Sequence, residues 1–313
     1  MKSCNKLQNF MSSTVKDMKK YYGAYLLVLP VVLYYVIFAY KPMYGLIIAF
    51  KDFKPGLGIW GSPWADNFGF EHFIDYIQSF YFGRTVRNTL TISITSLIFG
   101  FPAPIIFALL LNEIKAEKFK RVVQTITYMP HFISTVIVCS MVVMFVSEKG
   151  IITSFVSMFT EEKGSLLNHS EYFVPIYVIS GIWQNLGWNS IIYLAALSGV
   201  DPSLYEAAKM DGAGRFRQTV HVTIPGIMGT IVIMLLLNIG GLLNVGYEKI
   251  ILLYNESIYE TADVISTYVY RKGLENFQYS FSTAVNLFNS VISFILVMAF
   301  NKISKKVTEI SLW

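Results

Sequence analysis

Long apolar runs, parted by short polar ones, dominate the pattern of this chain. Six stretches, 21–40, 88–112, 122–147, 172–200, 222–247 and 276–301, contain no Asp, Glu, Lys or Arg. Crossing roughly 30 Å of hydrocarbon takes about 20 helical residues, so each is long enough to span a membrane. None alternates with a period of two, as a membrane strand of about 10 residues does. A helix also satisfies its own backbone hydrogen bonds, which lipid requires. The predicted fold is all-α, a polytopic membrane helical bundle with six transmembrane helices.

Composition agrees. Hydrophobic residues make up 54% of the 313 residues against 14% charged, with a mean hydropathy of +0.51, too little charge to wet the surface of a soluble protein. With both termini in the cytoplasm, the inside segments are 1–20, 113–121, 201–221 and 302–313. They hold fifteen Lys and Arg against seven Asp and Glu, whereas the outside segments hold ten against thirteen. That asymmetry obeys the positive-inside rule. It predicts a multi-pass protein of the cell membrane, divided into a cytoplasmic segment 1–20 and a transmembrane domain 21–313. Lys115, Lys118, Lys120 and Arg121 are placed to hold anionic lipid headgroups. The formal charge of +5 is spread over span ends and forms no nucleic-acid patch. Segment 1–20 lacks the apolar core of a signal peptide, so the first run is expected to stay as an anchor.

The outside segment 41–87, with Trp60 and Trp64, is expected to form a partly helical cap. Cys4 and Cys139 are too few for a disulfide framework, and His72, His131, His169 and His221 show no metal-ligand spacing. No catalytic residue and no metal site is predicted. The spans contain no carboxylate for proton or sodium coupling.

Candidate chemistry lies in the inside loop 201–225. Asp201 followed by Pro202 reads as a helix start, Ala207, Ala208 and Met210 favour helix, and Gly212 and Gly214 end it. Glu206, Ala207 and Ala208, then Gly212 four residues after Ala208, then Val222, Ile224 and Pro225, resemble the EAA signature of bacterial ATP-binding-cassette importer permeases. Asp211, Gly212 and Ala213 match the form typical of maltose-type sugar importers. The run from Lys41 to Gly45, the pair Gly187 and Trp188, and the run from Thr267 to Leu274 resemble the oligosaccharide and polysaccharide branch associated with lipoproteins. One departure is Asn286, where that branch often has Gly.

The resemblance, which covers the chain from about residue 21 to its end, implies a type I ABC importer permease fold. It further implies a second, homologous permease beside this chain, two cytoplasmic ATPase subunits, and an extracytoplasmic sugar-binding lipoprotein. Glu206, Ala207, Ala208, Asp211, Gly212 and Ala213 would couple to an ATPase, with Glu206 capping or bracing the docking helix. No phosphate-binding Gly-rich loop ending in Lys-Ser or Lys-Thr is present, so ATP and Mg belong to the ATPase chains and this chain carries no cofactor. The implied cargo is an oligosaccharide, taken as neutral because the spans hold no Lys or Arg. Amide and aromatic side chains suit sugar hydroxyls and ring faces, and the spans offer Asn185, Trp188, Asn238, Asn244 and Asn286, beside Trp183, Gln184, Asn189 and Asn289. Intramembrane Asn also serves as hydrogen-bond glue between helices. Three other readings stand beside this one. They are an ABC permease for another solute such as glycerol phosphate, a secondary transporter, and a membrane enzyme using Asp52, Asp66 or Glu71.

Overall fold

The computed structural model describes residues 20–160 and 164–312. Apart from Lys20, the expected cytoplasmic segment 1–20 lies outside the described residues. The chain forms two compact units, one ending at Glu71 and one beginning at His72.

The first unit is built on α1, Tyr22–Phe50. The span expected to end at residue 40 runs ten residues further, because the chain absorbs Pro42 without leaving the helix. Pro42 has no N–H to give, and a π turn at Val36–Tyr40 redirects the bonding, the Lys41 N–H reaching the Val36 carbonyl. The last turns tighten into a 3-10 helix over Tyr44–Phe50. None of the apolar window of α1 is buried within the chain, as befits a helix apolar all round that faces lipid or another chain. Beyond it, the Lys51 ammonium is buried and held by the carbonyls of Ile59 at 2.9 Å and Ser62 at 3.1 Å.

In the second unit, α2 (Phe80–Glu113) is a continuous membrane-length helix. The third expected span is not. It divides into α3 (Glu117–Phe132) and α4 (Thr135–Phe145), bent by 100°. Pro130 stands in the 3-10 turn that ends α3, and the Ser134 side chain caps α4 by accepting from the Ile137 N–H, a start signal that competes with helix continuation. The fourth expected span is α5 (Ser170–Ser198), 29 residues unbroken despite Pro175. Next come the short α6 (Pro202–Met210), then α7 (Arg215–Gly226) and α8 (Met228–Gly240), bent by 63° where one fifth span was expected. Pro225 and the π turn at Thr219–Thr223 precede that bend. The expected fifth span also ends early: after Gly240 the chain turns and starts α9 (Tyr247–Leu253). A short α10 (Ile265–Tyr270) leads to the last span, α11 (Tyr279–Thr308). Among the described residues, three helices are long and apolar enough to cross a membrane, or five if each bent pair counts as one. Helix α5 has the length but, with its Gln and Asn residues, is not among them.

Helix α5 is the hub, packing on α2, α3 and α8. Phe173 near its start joins Ile92, Cys139, Val146, Ile250 and Ile258 in one core, and Tyr193 and Leu197 near its end join Ala108 and Ile227 in another. A buried polar knot fastens α2 to the chain entering α10. The fully buried Asp263 carboxylate accepts from Arg271 at 2.8 Å, from Arg84 at 3.4 Å and from the Thr267 hydroxyl at 2.9 Å. Asn88 donates to the carbonyls of Glu260 and Asp263 at 2.8 and 2.9 Å. A carboxylate taken out of water needs such partners.

Gly187 lets α5 pack tightly on α3, since a Cβ there would overlap the Thr127 carbonyl. Backbone cannot yield as a side chain does, so Gly187→Ala should destabilise the chain by roughly 1–3 kcal/mol. The measurement is a lowered Tm of the detergent-solubilised protein. Gly181→Ala, whose Cβ meets only the flexible tip of Lys249 at 3.2 Å, should melt near the wild type.

Candidate functional site: a polar cavity and an exposed docking helix

Two features stand out: a polar cavity in the second unit and a surface helix at the foot of α5 and α7. A cavity of about 350 Å³ lies between α2, α5 and the segment joining α8 to α9. Three of the five expected cargo residues line it: Asn185, Asn238 and Asn244, joined by Gln184 and Asn189. Asn238 gives its amide N–H to the Met234 carbonyl of its own helix at 2.8 Å, which leaves its carbonyl oxygen to accept a hydroxyl. Asn244 is the reverse: its oxygen accepts from Asn289 at 3.3 Å, so its amide N–H₂ is the available group. Asn185 is used at both ends, giving to the Gly181 carbonyl at 3.1 Å and meeting the His131 ring at 3.0 Å. Gln184 reaches the Ile133 carbonyl at 3.3 Å, across the break between α3 and α4. Apart from the bond to Gly181, which is within α5, these contacts tie α5 to its neighbours, as the interhelical-glue role requires.

Trp188 and Asn286 are not among the lining residues. Trp188 stacks on the His131 ring, centroids 4.5 Å apart and planes 4° from parallel. It stays 43% exposed. Asn286 is an exposed position of α11 whose backbone carbonyl accepts from Ser290. Trp183 is also exposed and off the cavity.

Sequence reasoning missed several lining residues, Ser93 and Lys249 among them. Ser93, on α2, is buried with its hydroxyl unpartnered. Lys249 lies two residues past the end of the fifth expected span. The Gly240, Gly241 and Gly246 turn brings it back, so its ammonium sits on the cavity wall, 2.8 Å from the Tyr177 carbonyl. Burial pushes that ammonium down to about 8. The spans themselves are free of Lys and Arg, but the cavity they enclose is not. The turn glycines were the available signal, because a span ending at Gly240 leaves Lys249 within reach of its neighbours.

The second feature is α6, which carries the EAA residues. The Asp201 carboxylate caps it by accepting from the Ser203 N–H at 2.9 Å, an interaction that holds this carboxyl below its usual range. Glu206 was expected to cap or brace the helix. It does neither: it is exposed, and among the described residues its side chain makes no hydrogen bond or ion pair. The helix ends in a Schellman motif, with the Ala213 N–H on the Ala208 carbonyl at 2.9 Å and the Gly212 N–H on the Lys209 carbonyl at 3.0 Å. Gly212 takes φ 75 there, the left-handed conformation that favours glycine. Ala207 is exposed, and Met210 and Phe216 beyond it are 89% and 81% exposed. Such an apolar surface is built to be covered. The Tyr205 hydroxyl gives to Thr223 at 3.1 Å, tying α6 to the π turn within α7.

Membrane-length and broken helices, with a polar cavity among them and a capped surface helix, are the architecture of a polytopic membrane protein. A profile of the binding-protein-dependent transport system inner membrane components matches residues 100–309, and the chain belongs to that family. It is 46% identical to Protein LplB of Bacillus subtilis (strain 168) over 283 residues, covering 90% of this chain and 88% of the relative. It is 45% identical to the polygalacturonan/rhamnogalacturonan transport system permease protein YteP of the same organism, over 91% of this chain and 88% of that protein. Its fold, that of a type I ABC importer permease, matches a chain of a crystallised bacterial ABC transporter involved in the import of the acidic polysaccharide alginate. The TM-score is 0.85 and the identity 43%, over 95% of this chain and 99% of that one.

Asn238 lines the cavity and keeps its carbonyl oxygen free, so its expected part in holding cargo can be tested. Asn238→Ala should lower the initial rate of cargo uptake by about tenfold, the worth of roughly one hydrogen bond, while the ATP hydrolysis of the unstimulated complex stays at the wild-type level. Uptake into proteoliposomes alongside phosphate release checks both.

Proposed function

We propose that this chain is the permease subunit of an ATP-binding-cassette importer that carries oligosaccharides inward across the bacterial cytoplasmic membrane. Its partners are a second, homologous permease, two cytoplasmic ATPase subunits that bind ATP and Mg, and an extracytoplasmic sugar-binding lipoprotein. Both termini face the cytoplasm, in line with the charge asymmetry of the loops. This reading makes the chain a transport subunit and leaves the chemistry of hydrolysis to the ATPases.

The observation that carries the proposal is α6: a helix capped at both ends whose apolar and acidic side chains turn outward. Its relatives support the cargo class, since one is named for polygalacturonan and rhamnogalacturonan transport and a solved neighbour imports alginate. Another neighbour was crystallised with a periplasmic protein bound to an alginate pentasaccharide, which supports the binding-protein partner. Mechanically, an ATPase closing on ATP drags α6, and the Tyr205 to Thr223 hydrogen bond passes that displacement to α7 and α8. The bend between α7 and α8 then lets the two halves of the span reorient against α5 and change which side the cavity faces. This is a switch between two packings, biased from a distant site. Cargo is held in passing by uncombined amides that match sugar hydroxyls.

The test is reversal of charge and of backbone freedom on α6. Glu206→Lys strikes the contact, and Gly212→Val puts a β-branched residue at positive φ, costing roughly 1–2 kcal/mol locally. In the reconstituted complex both variants should insert normally but lose at least tenfold of the ATP hydrolysis stimulated by loaded binding protein. Normal stimulation in both would overturn the docking role of α6.

A further inference from the structure

Lys249 is not explained by the transport cycle just described. It is a half-buried cation on the wall of a cavity otherwise lined by amides, hydroxyls and apolar groups. Its Nζ gives one hydrogen bond, to the Tyr177 carbonyl, and lies 4.5 Å from the centre of the Tyr177 ring. An ammonium carries three donors, and among the described residues no carboxylate pairs with this one. Taking a cation out of water without a counter-charge is costly, and chains retain such groups where something repays the cost.

Two neighbours point the same way. Gly181 on α5 leaves the space that the ammonium fills, since a Cβ there would come within 3.2 Å of Nζ. Ser93, 7% exposed and lining the same cavity, keeps a hydroxyl with no partner. A cation with unused donors and a buried hydroxyl without a mate make a site for an oxyanion, in a cavity whose free amides, on Asn189, Asn238 and Asn244, suit hydroxyls. A sugar acid presents that combination: a carboxylate ionised at neutral pH beside ring hydroxyls.

We propose that Lys249 receives the carboxylate of an acidic sugar in the cavity, so that the oligosaccharides this permease carries contain uronic acid residues. The proposal rests on the oligosaccharide reading and narrows its cargo. A charge-assisted hydrogen bond in a partly dehydrated site is stronger than one between neutral groups. A neutral sugar there offers the ammonium only a hydroxyl, so the lysine selects for acidic cargo over its neutral counterpart. Discrimination of this kind comes from a buried polar group left unpaired by the wrong substrate.

The experiment uses the complete importer in proteoliposomes, with its binding protein, and measures uptake of uronate tetrasaccharides and of the same tetrasaccharides with their carboxyl groups reduced to alcohols. Wild type should prefer the acidic form. Lys249→Met should cut that preference at least tenfold, chiefly by slowing acidic uptake, while Lys249→Arg should keep most of it. Gly181→Val, which displaces the ammonium without removing it, should fall between. A preference unchanged in Lys249→Met, or equal losses for both cargoes, would make Lys249 a clamp between α9 and α5 and overturn the proposal. Wild type that imports only the neutral tetrasaccharides would overturn it too, leaving the oligosaccharide reading intact. Import of neither by wild type would overturn both.

Discussion

One constraint governs the second unit: in a bundle surrounded by hydrocarbon, every polar group must find its partner inside. Helix α5 concentrates that requirement. It carries Gln184, Asn185 and Asn189 within six residues, and the first two are used up on neighbouring helices, at the Ile133 carbonyl and the His131 ring. Gly187, between Asn185 and Asn189, lets the Thr127 carbonyl of α3 come against the helix backbone. The groups left over, on Asn189, Asn238, Asn244 and Ser93, line one cavity. Groups that tie helices together and groups left free thus meet around one cavity, divided by which of them have already been satisfied.

The breaks in the spans follow from the same economy. A proline inside a membrane helix frees a carbonyl that must be answered locally. Here the answers are π and 3-10 turns, at Val36–Tyr40 before Pro42, at Met129–Phe132 around Pro130 and at Thr219–Thr223 before Pro225. The last two are also where the chain bends, by 100° after α3 and by 63° between α7 and α8. The second bend stands between α6 and Asn238, where, on the proposed function, a displacement at α6 becomes a reorientation at the cavity.

Much of this was legible from the residues. The apolar runs located the membrane helices, and the Glu-Ala-Ala triplet with its following glycine located α6, down to the left-handed Gly212. The breaks were less so, because charge-free runs report span length and are blind to a 3-10 turn or to a serine that starts a new helix, as Ser134 does. The same blindness hid Lys249: counted by position it lies outside the spans, while by geometry it returns to the cavity through the turn after Gly240. Amide side chains showed the opposite failing. Asn185 and Asn238 look alike in the sequence, and only their hydrogen bonds separate the satisfied one from the free one. Glu206 was found by its motif, but its helix is braced by Asp201 and the C-terminal Schellman turn.

The central claim is that the cavity beside α5 opens alternately to the two sides of the membrane under control of distant ATPases. Asn189, an exposed residue of its lining, tests it most directly. With Cys4 and Cys139 replaced by alanine and a single cysteine at 189, a membrane-impermeant thiol reagent should label the complex from outside when ATP is bound without hydrolysis. Without nucleotide, labelling should come from the cytoplasmic side. Labelling from one fixed side, indifferent to nucleotide, would contradict the account.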